Sequence, residues 1–187
     1  MANEIVKTNR IERVSDNTAV AGIDSIANTL ETIELEHHEV HEGNFYTISD
    51  YDNDVDIIAP KYWHLKTPDT VKRIHIKMEV GANGADLVEF FETPTLTGNG
   101  TALTPKNNDR NSANATTLLV YYDPTVTADG TRITADLIGT NNNKTIIGGS
   151  IRNGAEFILK RNTSYLVKFS PVADNTKATF KAEFYEI

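Results

Sequence analysis

The chain of 187 residues contains no cysteine. Disulfides, thiolate nucleophiles and Cys-based zinc sites are therefore excluded, and stability must come from core packing or from association with other chains. Basic residues are also scarce: 18 Lys and Arg stand against 26 Asp and Glu, a formal net charge of −8. Nucleic acid is disfavoured as a partner, because phosphate binding needs clustered cations, and so is an anionic membrane surface. No apolar run approaches the roughly 20 residues of a membrane span. The first twenty residues, "MANEIVKTNRIERVSDNTAV", have no apolar core of a signal peptide. The expectation is synthesis in a reducing cytoplasm, with no membrane or nucleic-acid partner.

What is present divides into two parts. Residues 1–35 are polar with scattered Ile, Val and Leu, and read as an N-terminal arm that orders on a partner. Ile23, Ile26 and Leu30 have helical spacing, which predicts a short helix from about Ser25 to Glu34. Residues 36–187 carry a β signal. In "VKRIHIKMEV", Ile74, Ile76, Met78 and Val80 fall on one face, and Arg73, His75, Lys77 and Glu79 on the other. "NFYTISDY" alternates similarly. "DLVEFFET", "TTLLVYYD", "TRITADLIG", "KTIIGGSI", "EFILK", "TSYLVKFS" and "KATFKAEFYEI" follow, each short and bounded by Gly, Pro, Asn or Asp. Roughly nine or ten strands at this spacing predict an all-β fold, a jelly-roll-like antiparallel β-sandwich, with a barrel as the rival. A long Asn-, Thr- and Gly-rich segment from Thr93 to Thr116 reads as a loop of functional length, with Lys106 and Arg110 as its cations.

The most chemical-looking stretch is "LEHHEVHEGNFYTISDYDNDVD". His37, His38 and His41 lack the His-Glu-x-x-His order of a metalloprotease helix. On a helix His37 and His41 share a face; on a strand His37, Glu39 and His41 do. A Zn²⁺ or Ni²⁺ site completed by an outside carboxylate, a pH-sensitive contact and ordinary interface hydrogen bonds all remain open. Interface hydrogen bonding is the preferred reading. Asp50, Asp52, Asp54 and Asp56 alternate like the opening of an EF-hand, but Val55 and Lys61 stand where its Gly and Glu belong. A solvated acidic turn is expected there instead. Tyr46, Tyr51, Tyr62 and Trp63 suggest a sugar platform or, preferably, core and interface packing. No G-x-S-x-G, P-loop or dinucleotide motif occurs. A cupin-like metal enzyme requires the 37–41 cluster to meet His64 or His75. No catalytic, cofactor or metal residue is assigned, and the chain is not expected to be an enzyme.

"EHHEVHEGNFYTISDYDNDVDIIAP", "TPDTVKRIHIKMEV", "FFETPTLTGNGTALTPKNNDRNSANATT" and "GAEFILKRNTSYLVKFS" occur in that order. Over about residues 35–187 this pattern resembles tailed-bacteriophage virion proteins read as head decoration, or cement, proteins. The resemblance implies a structural protein on the capsid surface, with the major capsid protein as its partner. A homotrimer fits the local threefold positions of a capsid. Interface candidates are His37, His38, His41, Asn107, Asn108, Arg110 and Asn111. The alternatives are a tail or fibre-base protein and a carbohydrate-binding sandwich on the virion surface.

Overall fold

The computed structural model describes residues 19–23, 30–138, 147–150 and 156–187. The strands are β1 (Ala19–Ile23), β2 (Leu30–Glu34), β3 (Phe45–Val55), β4 (Lys61–Lys66), β5 (Ile74–Ala82), β6 (Asp86–Glu92), β7 (Thr95–Gly98), β8 (Thr101–Leu103), β9 (Lys106–Asn107), β10 (Leu119–Tyr122), β11 (Thr125–Ala128), β12 (Thr131–Ile138), β13 (Ile147–Ser150), β14 (Phe157–Leu159), β15 (Ser164–Ser170) and β16 (Thr176–Glu186). One helix, α1 (Leu35–His41), interrupts them.

The chain is an all-β antiparallel sandwich. The first sheet runs β12-β6-β15-β4-β10-β8 and the second β13-β5-β16-β3-β9, with β14 also paired to β5. Period-2 patterning explains why these segments pair as they do. Ile74, Ile76, Met78 and Val80 of β5 are buried, and the intervening side chains point out of the sandwich. Alternation in β16 buries Ala178, Phe180, Ala182 and Phe184 beside them. The first sheet supplies Trp63, Leu65, Val88, Phe90, Tyr165, Val167 and Phe169 to the same core. Trp63 stacks on Phe180 across the two sheets, ring centroids 5.0 Å apart, and Phe90 meets Phe157 at 5.1 Å. Burying one such ring contributes about 1.5–3 kcal/mol, so these contacts between sheets dominate the cohesion of the fold.

Several expectations are corrected. Leu30–Glu34 is a strand, hydrogen-bonded to β1 in register from Ala19↔Glu34 to Ile23↔Leu30, where a helix was expected. Three apolar residues in eight underdetermine the period, and a lone helix that short is marginal in water, whereas a strand pair satisfies its backbone directly. Residues 24–29, the rest of that expected helix, and residues 1–18 of the expected arm lie outside the described residues. The Thr93–Thr116 segment is not a bare loop: it carries β7, β8 and β9. "TVTA", which is not among the expected strands, forms β11, paired with β7. Asp50, Asp52 and Asp54 lie within β3 rather than in an acidic turn. Strand β4, central in the first sheet, has no counterpart among the expected strands.

Candidate functional site

Helix α1 follows β2 without a loop and delivers the histidines. Its C-terminus is closed by a left-handed glycine: Gly43 has φ +70°, Gly43 N–H donates to Val40 O at 3.1 Å and Asn44 N–H to Glu39 O at 2.9 Å. His37 and His41 are exposed, one turn apart on one face, with Nε2 atoms 3.0 Å apart and rings edge-on. His38 faces elsewhere. Its Nδ1 is 3.3 Å from Glu39 Oε1, and its Nε2 is 3.7 Å from Glu42. Glu39 is buried and also accepts from Asn44 Nδ2 at 3.2 Å. Glu36 pairs with Lys77 of β5, which fastens the helix to the outer face of the second sheet.

The asparagine segment reaches the same place. Strand β9 pairs with β3 (Tyr46↔Asn107, Thr47↔Lys106), and Asn107 Nδ2 donates to Gly43 O at 2.7 Å. Asn114 Nδ2 donates to Glu42 O and to Gly43 O, each at 3.3 Å. Thr47 Oγ1 donates to Asn108 Oδ1 at 2.7 Å. Consecutive side-chain turns then fold the chain: Asp109 N–H to Asn107 Oδ1, Asn111 N–H to Asp109 Oδ1, and Asn114 N–H to Ser112 Oγ. Two segments more than sixty residues apart thus form one surface with Gly43 at its hub. A Cβ at Gly43 would stand 2.3 Å from Ser112 Oγ, so that position demands glycine for space as well as for φ.

The interface candidates separate by role. His37, His41, Asn108, Arg110 and Asn111 are exposed. Asn107 and His38 are partly buried and spend their polar atoms on the protein itself. Sequence reading missed Gly43, Ser112 and Asn114. The glycine two residues after His41 was the available signal. Beside this surface, where the chain crosses from β8 to β9, lies a groove of about 360 Å³ lined by Tyr46, Leu103, Pro105, Asn114, Leu118 and Tyr121.

The remaining sequence candidates are placed elsewhere. Trp63 and Tyr46 are core residues, 0% and 2% exposed, and only Tyr51 of that aromatic group stands well out of the surface. Asp50 accepts the Trp63 indole N–H at 2.8 Å, and Asp52 accepts from Lys61 Nζ at 3.0 Å, so the acidic run of β3 ties the second sheet to β4 of the first. Burial alone would raise the Asp52 carboxyl. The Asp54 N–H and the Lys61 ammonium outweigh it and hold the group below the usual carboxylate range. Lys61 also pairs with Asp123 at 3.0 Å, and despite burial its ammonium is held above the ordinary value by these two carboxylates. His64 is fully buried against Tyr121, ring centroids 5.4 Å apart, with Nε2 3.1 Å from Ser164 Oγ. His75 lies on the other sheet, with Nδ1 2.5 Å from Glu156 and its ring stacked on Tyr185. The 37–41 cluster does not meet either one. Among the described residues no three His, Asp or Glu side chains are grouped to hold a metal ion.

No protein-family model matches the chain. No curated protein matches it either. Among the described residues no helix is long and apolar enough to cross a membrane.

Proposed function

We propose that the protein is a virion structural protein that binds the outside of a tailed-phage capsid and stabilises its lattice. The observation that carries this reading is the joined surface of α1 and the 107–114 turn. It is exposed at His37, His41, Asn108, Arg110 and Asn111, rich in amide groups, and braced by backbone pairing between β3 and β9. Asn108, Arg110 and Asn111 present hydrogen-bonding groups on a rigid base, and the adjoining groove accepts an apolar side chain of the partner. Because the base is preformed, little ordering entropy opposes docking.

Strand order supports a jelly-roll reading of the sandwich. Successive strands β3, β4, β5 and β6 alternate between the sheets, then β15 inserts between β4 and β6, and β16 between β3 and β5. That interleaving is the double-sheet arrangement common to capsid-type and lectin domains. The resemblance of residues 35–187 to head decoration proteins points the same way. In this reading the major capsid protein is the partner, and the protein acts as a trimer at local threefold positions. Copies bound across capsomer junctions stabilise the assembled shell by mass action and avidity.

The test is binding of the purified full-length chain to expanded empty capsids of the phage that encodes it. Saturable binding, weakened at least about tenfold by Asn108→Ala/Arg110→Ala/Asn111→Ala together, is expected. Glycan binding by the isolated protein with no capsid binding would favour the carbohydrate-module alternative and overturn this one.

A further inference from the structure

We propose that His37 and His41 form a surface chelate for a divalent transition-metal ion, with Cu²⁺ and Ni²⁺ preferred over Zn²⁺. This goes beyond the capsid reading and does not depend on it.

The argument is geometric. Both side chains project from one face of α1, one helical turn apart, with the Nε2 atoms 3.0 Å apart and the ring centroids 4.7 Å apart. Metal–imidazole bonds are about 2.0–2.1 Å long, so two nitrogens 3.0 Å apart subtend about 94° at a shared ion. That is the cis angle of square-planar or octahedral coordination, which suits Cu²⁺ and Ni²⁺. Copper(II) leads the affinity order of divalent first-row ions at nitrogen sites, ahead of nickel and zinc. Without metal, one ring must donate Nε2–H to the other ring's lone pair. On binding, each ring carries its remaining proton on Nδ1 and presents its Nε2 lone pair to the ion.

His38 serves as an internal control. It adjoins His37 and lies three residues before His41, but its ring is directed to Glu39 and Glu42. No third protein ligand is grouped with the pair among the described residues, so water fills the remaining positions. His64 and His75 are committed to Ser164 and to Glu156 in the folded chain. Because His37 and His41 are exposed, replacing them leaves the sandwich core intact.

The experiment is calorimetric titration of untagged, chelator-treated full-length protein with Cu²⁺, Ni²⁺ and Zn²⁺ salts, with the Cu²⁺ complex also examined by electron paramagnetic resonance. The expected result is one ion per chain, affinities in the order Cu²⁺, Ni²⁺, Zn²⁺, and two equivalent nitrogens coupled to copper. His37→Ala and His41→Ala should each weaken Cu²⁺ binding at least about tenfold through loss of the chelate, with unchanged unfolding midpoints, while His38→Ala keeps wild-type affinity. Wild-type affinity in either single variant, or loss of affinity in His38→Ala, would overturn the proposal. So would binding of adventitious ions alone, with one nitrogen or none coupled to copper.

Discussion

Trp63 of the first sheet donates its indole N–H to Asp50 of the second across 2.8 Å, with the ring fully buried. The first carboxylate of the alternating acidic run is thus a fastener between layers. Asp50→Ala leaves a buried donor without an acceptor and should lower unfolding free energy by about 1–3 kcal/mol. Asp50→Asn keeps an acceptor and should cost less. Denaturant unfolding followed by fluorescence checks this, since Trp63 is the only tryptophan. Equal losses in the two variants would mean that the indole hydrogen bond is not what Asp50 contributes.

Gly43 ties the histidine helix to the asparagine turn. Gly43→Ala imposes a left-handed alanine, roughly 1–2 kcal/mol, and a clash with Ser112. The expected loss is about 1–3 kcal/mol, accompanied by faster hydrogen exchange at Asn44, whose N–H closes the helix. Unchanged exchange there would detach the helix cap from the turn.

Glu186 makes a comparable clasp at the other end of that segment. Its buried carboxylate accepts from Thr117 N–H at 2.7 Å, Thr117 Oγ1 at 3.1 Å and Leu118 N–H at 3.3 Å, and also from Thr116. Glu186→Ala strands these donors and should cost about 2–4 kcal/mol, with Glu186→Gln intermediate. Thermal unfolding of the two variants measures the difference. A negligible change in Glu186→Ala would show that water replaces the carboxylate.

His64 makes stability depend on pH. Burial, helped by the charge of Lys66, pushes its pKa below the ordinary value against the opposing pull of the Asn99 backbone. The unfolded chain therefore binds the proton more tightly than the folded one. This contribution is intact above about pH 6.5, the ordinary histidine value, and is lost as pH falls toward the lower folded value. Wild-type protein should lose stability between pH 7.5 and 5.5, and His64→Phe should lose less. Parallel curves for the two proteins would assign the acid sensitivity elsewhere.

How far the sequence could be read follows from which interactions are local. The alternating faces of β5 were legible because burial on one side of a strand writes itself into period-2 hydrophobicity. Strand β4 was not, since Lys61 and Lys66 frame its aromatics and Lys61 turns inward only because Asp52 and Asp123 neutralise it. The acidic run of β3 looked like a turn for the same reason: the partners of Asp50 and Asp52 come from the opposite sheet. In the candidate site, each segment was visible alone. Their meeting at Gly43 depends on the β3–β9 pairing, which joins residues about sixty positions apart and leaves no local periodic trace.

The most direct measurement of the proposed capsid role is quantitative binding of the purified chain to expanded empty capsids of the phage that this reading implies, with its distribution on virions imaged by electron microscopy. The account predicts saturable occupancy at regular positions on the head, lost in the Asn108/Arg110/Asn111 triple alanine variant. Density on the tail alone, or head occupancy indifferent to that variant, would contradict it.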